Sequence, residues 1–364
     1  MDEQAIPGQK NLREPSPWPF DTGEIMAGLR RLTGDPQLAV LEIGDYEIPH
    51  QHPSVGQVRG LRVVCSASDG DQTFHLVLKE PLGTTRVGTA GVGLREVNVY
   101  RNLTPQLPLR LPRLVASHPA GDWLVLELTA TGEDPQNWSA EQYRTAIQSL
   151  VILHDRFWGL GQDLTVYNWL SRPLTADFDI YLQAARAGVE QIASNRPAAL
   201  LDWDASFPDT LEKLVAHAAE IARALQRTPF TLLHGDYWPG NLQFNEQGQL
   251  VVYDWQKAGI GPATLDIVRF IQASRWWFDP LPLPADEMVA HYRSSLAEAN
   301  NLTWSEAEWQ AEWDNSLLWT FITGWIDLLA ATPESLLETR RIELEEIWLN
   351  PLRDAATRQR IPGL

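Results

Sequence analysis

The feature that most constrains the fold is a single change in hydrophobic periodicity about a third of the way along the chain. Before residue 129, short runs rich in β-forming residues alternate with turns, and beyond it almost every segment repeats its apolar residues at helical spacing. A chain that changes pattern once builds its sheet and its helices as successive units. We therefore predict an α+β fold, with a small antiparallel sheet followed by a larger, mainly helical part.

Three parts are predicted along the chain. Residues 1–20 contain four prolines and form a flexible leader, residues 21–128 form the N-terminal lobe, and residues 129–364 form the C-terminal lobe. The N-terminal lobe is predicted to hold helices at 21–34 and 95–103 and strands at 38–48, 60–67, 73–80 and 123–128. Helices of the C-terminal lobe are predicted at 139–159, 175–194, 208–227, 263–277, 285–299, 305–331 and 334–349.

One β segment, residues 232–256, interrupts the helical half. Two alternating runs, LQF and LVVYDW, flank a turn that contains glycine, which predicts a hairpin. If Phe244 lies opposite Leu250, then Asn241 lies opposite Tyr253, with Asp254 one step beyond. Opposed or diagonal residues have Cβ atoms within ~5 to 8 Å of each other. An amide oxygen and a carboxylate at that distance suit Mg²⁺, which also keeps water and phosphate ligands.

The spacing around this hairpin matches a kinase pattern. The chain reads H-G-D-x-x-x-x-N from His234, and Asp254 follows thirteen residues after Asn241, as in the catalytic loop and metal-binding Asp of protein kinases. Such chemistry also needs a strand Lys positioned by a helical Glu, and Lys79 and Glu96 fit these places. A solvated edge lysine and a first-turn glutamate are the alternatives for those two residues.

Several motifs resemble the aminoglycoside phosphotransferase and choline kinase-like group of small-molecule kinases. The resemblance extends from about residue 22 to 350, and its motifs are LKE (78–80), VILHDRFWG (151–159), HGDYWPGN (234–241), VYDWQ (252–256) and GPATLDIVRF (261–270). It implies a bilobal, protein-kinase-like fold that uses ATP and Mg²⁺ to phosphorylate a hydroxyl group of a small molecule.

The resemblance also implies roles for individual residues. Asp236 would be the catalytic Asp that orients the hydroxyl or accepts its proton, and Asn241 and Asp254 would hold Mg²⁺. Lys79 would contact the α and β phosphates of ATP and pair with Glu96. Three further residues would support the loop or the core, namely Asp266 as a structural acid, His234 as an orienting group and His154 as a packed helix histidine.

Two departures from protein kinases affect the prediction. The loop at 46–60 lacks G-x-G-x-x-G, so we expect backbone N–H groups of Ser54 to Gly56 to cover the phosphates. His50 and His52 lie in the same loop, and we assign no zinc to them. Only seven residues separate Asp254 from Pro262, which leaves no room for a long phosphorylatable segment. A small-molecule acceptor is therefore favoured over a protein, although a protein kinase and a non-catalytic nucleotide-binding module stay as alternatives.

Composition limits the classes of molecule that the protein is expected to bind. With 29 Lys and Arg against 47 Asp and Glu, the net charge of −18 disfavours nucleic acid and favours encounter with a cationic acceptor, unless it only reflects solubility. A single cysteine, a polar N-terminus and the absence of a long apolar run predict a cytoplasmic protein without a membrane segment.

Tryptophan is abundant, and its distribution points to the helical half. The chain has 16 Trp, of which fourteen lie beyond residue 129. Trp313, Leu317, Phe321 and Trp325 recur every four residues and predict one buried helix face. Four others are predicted to line the acceptor pocket, where Trp faces can bind cations: Trp276, Trp277, Trp304 and Trp309.

Overall fold

The N-terminal part of the chain forms an antiparallel sheet. The structure is a computed structural model, and it describes residues 18–48, 56–81, 91–129 and 132–361. Five strands pair in the order β1-β2-β3-β5-β4, and they are β1 Ala39–Tyr46, β2 Gln57–Ala67, β3 Gly70–Glu80, β4 Leu114–Ser117 and β5 Leu124–Glu127. The sequence prediction missed β4, because four residues are too few to display an alternating pattern.

Two helices pack with this sheet. Helix α1 Thr22–Thr33 begins with a capping box between Asp21 and Glu24 and ends at Gly34, which has a φ of 74°. Helix α2 Val92–Asn98 continues as a π-helical turn, Val99–Leu103. Most of the predicted leader lies outside the described residues, but Phe20 is buried and packs edge-on against Trp123.

The C-terminal part is mainly helical. Its helices are α3 Ala140–Arg156, α4 Phe178–Asn195, α5 Ala198–Trp203, α6 Phe207–Ala216, α7 Ala218–Leu225, α8 Thr264–Phe278, α9 Ala285–Asn300, α10 Glu306–Thr320, α11 Ile326–Ala331, α12 Glu334–Thr339, α13 Arg341–Leu344 and α14 Asn350–Arg358. Three predicted helices are broken: 208–227 divides at His217, 305–331 contains the π-helical turn Phe321–Trp325, and 334–349 divides at Arg340.

Two short two-stranded sheets interrupt the helices and build the site. Strand β6 Phe230–Leu233 pairs with β9 Gly259–Pro262, and β7 Leu242–Phe244 pairs with β8 Leu250–Val252. The predicted hairpin register is confirmed, because Phe244 lies opposite Leu250. Asn241 and Tyr253 continue this register, and the Tyr253 N–H donates to the Asn241 carbonyl at 3.2 Å.

The two parts together confirm the predicted bilobal α+β architecture. One hydrophobic cluster fills the space between the sheet and α1, a second lies within the helical part, and a third extends from α2 and β5 into the helical part. Strand β5 ends at Glu127 and helix α3 begins at Ala140. The boundary between the lobes that the sequence predicts, at 128/129, lies between these two elements and stays a prediction. Within the described ranges, every helix is too short or too polar to cross a bilayer.

Candidate active site

The loop that carries Asp236 is fixed by hydrogen bonds to one buried carboxylate. Asp266, at the start of α8, accepts hydrogen bonds from the backbone N–H groups of His234 at 2.7 Å and Gly235 at 2.8 Å. Gly235 has a φ of 77°, and a Cβ there would lie 2.1 Å from the Lys257 carbonyl oxygen. A residue with a side chain therefore cannot replace Gly235 without moving the segment that follows Asp254.

Two histidines lie beneath the loop. His234 accepts a hydrogen bond at Nδ1 from the Asp236 N–H (3.2 Å), and its Nε2 lies 3.0 Å from the Tyr253 carbonyl. That pattern needs a neutral ring protonated at Nε2, and burial lowers the pKa of His234 accordingly. His154 is fully buried and contacts Tyr292 (2.7 Å) and Asp266 (3.3 Å), as expected of a packed helix histidine.

The carboxylate of Asp236 lies between two cations. Lys257 Nζ is 3.2 Å from Oδ2, and Arg269 Nη2 is 2.7 Å from Oδ1. Burial alone would raise the pKa of Asp236, but Lys257 and Arg269 outweigh it and hold this pKa well below its usual range. The Arg269 contact is not aligned as a hydrogen bond, so buried Oδ1 lacks a hydrogen-bond donor among the described residues.

Asn241 and Asp254 lie at the open end of the hairpin. Asn241 donates from Nδ2 to the Asp236 carbonyl at 2.9 Å, so its amide oxygen is the atom able to bind a metal ion. Asp254 adopts a left-handed conformation with a φ of 65°. No group of three or more His, Cys, Asp or Glu able to hold a metal is found in the part of the chain that the structure describes. His50 and His52 lie outside it.

Lys79 links the sheet to the segment that carries Asp254. Its Nζ is 2.8 Å from Glu96 Oε1 on α2 and 2.9 Å from Asp254 Oδ1. The three buried or half-buried groups carry one positive and two negative charges. Burial, together with the nearby Asp254, raises the pKa of Glu96 above its usual value, against the opposing effect of Lys79. The excess of negative charge is what a divalent cation would balance, so the donor set fits Mg²⁺.

Five predicted residues therefore converge, and the structure adds two. Lys79, Glu96, Asp236, Asn241 and Asp254 surround one cavity, whereas Ser54 lies outside the described residues. Gly56 precedes β2, and a Cβ there would be 2.8 Å from the Glu80 carbonyl, one residue beyond Lys79. Sequence reasoning missed the two cations beside Asp236. No local spacing indicates that Lys257 and Arg269 contact Asp236, because these contacts depend on how the chain returns through β9 and α8.

The cavity continues beyond these residues into the helical part. Its volume is about 900 Å³, and its walls include Lys79 and Val77 from β3, Trp277 from α8 and Trp319 from α10. Of the four Trp predicted to line an acceptor pocket, Trp277 lines this cavity, and its contact with an acceptor stays a prediction. Trp276 packs edge-on against Trp325, and Trp304 packs against Trp309 in the core.

Comparison with known proteins identifies the family. A family model described as the phosphotransferase enzyme family (APH) matches residues 67–310, more than half of the chain. The chain belongs to this family. The resemblance of this chain to the aminoglycoside phosphotransferase and choline kinase-like group, predicted from motifs such as HGDYWPGN and VYDWQ, is confirmed.

Two solved structures show the same fold as this APH family member. An aminoglycoside phosphotransferase from Alicyclobacillus acidocaldarius is 15% identical, covers 91% of this chain and 96% of its own, and superposes with a TM-score of 0.51. An ethanolamine kinase from Plasmodium vivax is 12% identical, and the match covers 86% of this chain and 83% of the kinase, with a TM-score of 0.55. A search of curated protein sequences finds no match.

Proposed function

We propose that this protein transfers the γ-phosphoryl group of ATP to a hydroxyl group of a small molecule, with Mg²⁺ as cofactor. The observation that carries the proposal is the convergence at Lys79, whose Nζ contacts both Glu96 and Asp254. Membership of a phosphotransferase family supports the reaction class. We also propose a cytoplasmic location, where ATP is available and the buried thiol of Cys65 stays reduced.

Asp236 would act on the acceptor hydroxyl. Its low pKa keeps the carboxylate ionised, so this carboxylate, which lines the cavity, would accept the hydrogen bond of the hydroxyl and point the hydroxyl oxygen at the γ-phosphorus. As the new O–P bond forms, the bond from the γ-phosphorus to the β–γ bridging oxygen breaks and ADP leaves. The hydroxyl proton passes to Asp236 and then to solvent. A weak base suffices if transfer is loose and proton loss comes late.

The remaining residues bind and neutralise charge. Lys79 would contact the α and β phosphates, with Glu96 holding its position. Asn241 and Asp254 would hold Mg²⁺, which supplies charge neutralisation on the phosphate oxygens when bound. Lys257 and Arg269, close to Asp236, add positive charge where the phosphoryl group passes.

The test is the variant Asp236→Asn. We expect phosphate transfer from γ-labelled ATP to fall by at least 10³-fold, while Mg·ATP binding, measured by calorimetry, changes little. The matched control is Asp202→Asn, an exposed aspartate of α5, which should transfer phosphate normally. Full activity in Asp236→Asn would overturn the catalytic role of Asp236. If the unsubstituted protein did not bind Mg·ATP, the proposed function would be overturned.

The two alternative functions are tested with the same assay. Only four residues separate Asp254 from β9, which pairs with β6, so the chain offers little length for a peptide-binding segment there. Phosphate appearing in mixed peptides rather than in small alcohols would favour a protein acceptor. Mg·ATP binding without transfer to either class would favour a non-catalytic nucleotide-binding module.

A further inference from the structure

A buried tyrosine of α9 is connected to the loop that carries Asp236 through two other side chains. The Tyr292 hydroxyl lies 2.7 Å from Nδ1 of His154, and Nε2 of the same ring lies 3.3 Å from Oδ2 of Asp266. Asp266 in turn accepts two backbone N–H groups of the loop. A continuous series of hydrogen bonds therefore joins α9 to the centre of the proposed reaction.

The side chains of this series are sealed from water. Tyr292 and His154 are 0% exposed and Asp266 is 1% exposed, so each polar atom needs a partner within the protein. The backbone of His154 is fixed as well, because its carbonyl accepts from the Thr231 hydroxyl at 2.9 Å. Thr231 belongs to β6, the strand that leads into the loop. The position of the ring proton is then what must still be determined at His154.

The hydrogen-bond partners determine which ring nitrogen of His154 carries the proton. An ionised carboxylate such as that of Asp266 can only accept, so Nε2 must donate to it. Burial, together with the nearby Asp266 and Glu312, raises the pKa of Tyr292 well above its usual value, so the hydroxyl keeps its proton. A second ring proton, at Nδ1, would leave this buried hydroxyl proton without an acceptor among the described residues. The ring is therefore neutral, protonated at Nε2, and accepts from Tyr292.

We propose that Tyr292 is a positioning residue for the phosphoryl transfer. Its hydroxyl fixes the ring proton of His154 at Nε2, and Nε2 gives Asp266 a third hydrogen-bond donor. Asp266 then holds the loop that places Asp236. The effect on transfer rests on the proposed function, whereas the ring proton and the loop can be measured without it.

Loss of the Tyr292 hydroxyl would disturb this arrangement. Nδ1 of His154 would have no donor, so the ring proton could lie on either nitrogen. In the form protonated at Nδ1, the Nε2 lone pair would face Oδ2 of Asp266, the oxygen that also accepts from the His234 N–H at 2.7 Å. Two facing acceptors repel each other, so Asp266 would turn and weaken its hold on the loop.

The variant Tyr292→Phe tests the ring proton and the loop directly. In protein labelled with ¹⁵N-histidine, we expect the His154 ring to be protonated only at Nε2, and the variant to add a population protonated at Nδ1. Amide hydrogen exchange of His234 and Gly235 should become about tenfold faster in the variant. Protonation at Nδ1 in the unsubstituted protein, or unchanged exchange in the variant, would overturn the proposal.

Hydrolysis of γ-labelled ATP by water gives the kinetic measurement, because it needs no identified acceptor. Tyr292→Phe should lower kcat about tenfold, since Asp236 would no longer be held in place. KM for ATP should stay the same, because Lys79 and Asp254 keep their contact. A kcat equal to that of the unsubstituted protein would contradict a positioning role.

The matched control is Tyr143→Phe. Tyr143 lies on α3 and is as fully buried as Tyr292, but within the described ranges its hydroxyl bonds to no member of this series. We expect its kcat and its amide exchange to match those of the unsubstituted protein. Equal losses in the two variants would point to packing of the tyrosine rings and would contradict the proposal.

A second background separates Tyr292 acting through His154 from any other route. In His154→Gln, the amide N–H₂ can donate to Asp266 whatever Tyr292 does, because it always carries protons. Adding Tyr292→Phe to this background should therefore change kcat by less than about twofold. A further loss as large as that caused by Tyr292→Phe alone would overturn the proposed route.

Failure of the proposed function would be recognised separately. If the unsubstituted protein binds no Mg·ATP, that function is wrong. The ring proton of His154 and the exchange rates of His234 and Gly235 would still decide whether Tyr292 positions the loop.

Discussion

At the scale of single residues, motif spacing located the proposed catalytic and metal-binding groups but not their partners. The distance from Asp236 through Asn241 to Asp254 is a property of one hairpin, so it could be predicted from the sequence. The positions of Lys257 and Arg269 depend on how β9 and α8 bring a later segment back over the loop. Such contacts arise from tertiary packing, and no local pattern displays them.

Lys257 provides the first prediction at this scale. Its Nζ lies 3.2 Å from Asp236 Oδ2, close to where the transferred group would pass. Lys257→Met should lower kcat by about 10²-fold, because one preorganised charge is lost from the reaction site. Steady-state kinetics measure this, with the exposed Lys213→Met as control. If Lys257→Met kept the kcat of the control, Lys257 would have no part in transfer.

A pair of glycines provides the second prediction. Gly235 and Gly248 both have positive φ, at 77° and 71°, but only at Gly235 would a Cβ collide with backbone, at 2.1 Å. Gly248→Ala should cost about 1 kcal/mol of folding free energy and keep activity. Gly235→Ala should cost more and abolish transfer, since Lys257 must move. Urea unfolding and the transfer assay measure both, and similar behaviour of the two variants would contradict the role of the Gly235 contact.

At the scale of secondary-structure elements, caps were predictable and helix interruptions were not. Asp21, Glu24 and Gly34 mark both ends of α1 in the sequence, and the structure has the capping box and left-handed residue there. The π-helical turn at Phe321–Trp325 lies inside a continuous apolar pattern, which has the same appearance whether the helix is regular or not. Trp325 stays buried, as predicted, and it also lines the cavity.

Helix α10 carries a buried acid that gives a pH prediction. Burial raises the pKa of Glu312 to about 7, and the Thr264 hydroxyl, which donates to it at 3.1 Å, lowers this pKa only partly. The folded protein thus binds this proton more tightly than the unfolded chain does. The contribution of Glu312 to stability should therefore fall by about 2 kcal/mol as pH rises from about 4.5 to 7.

The variant Glu312→Gln tests this expectation. Glutamine keeps an acceptor for Thr264 but cannot ionise. The free energy of unfolding of the variant, minus that of the unsubstituted protein, should therefore rise by about 2 kcal/mol between pH 5 and pH 8. Chemical unfolding at both pH values measures the difference. Glu298→Gln, at an exposed site on α9, is the control. A difference that stays constant with pH would show that Glu312 is ionised in both states.

At the scale of the whole molecule, the two lobes are joined by polar contacts of α2. Arg95 donates from Nη1 to the Gln256 carbonyl at 2.8 Å and from Nε to the Trp169 carbonyl at 3.1 Å, while Lys79 bonds to Asp254. The bilobal class followed from the change in periodicity, but these contacts could not be predicted. They join residues 74 and 161 positions apart in the chain.

Arg95 provides the last prediction. Arg95→Met should lower the free energy of unfolding by about 2 kcal/mol, because two carbonyls lose a charged donor, and should raise KM for ATP severalfold as the lobes separate more easily. Arg101→Met is the control, since Arg101 donates to the Ser117 carbonyl at 2.7 Å within the N-terminal lobe. A KM for ATP that rises equally in both variants would contradict a role of Arg95 in holding the lobes.

The pairing of β6 with β9 has a mechanical consequence. Asp236 follows one strand of this pair and Asp254 precedes the other, and the Asn241–Tyr253 hydrogen bond closes the same frame. We therefore expect Asp236, Asn241 and Asp254 to move together as one rigid body. If the lobes open, the distance from Lys79 to that body would change, and under the proposed function this distance would control whether the protein can bind the nucleotide phosphates.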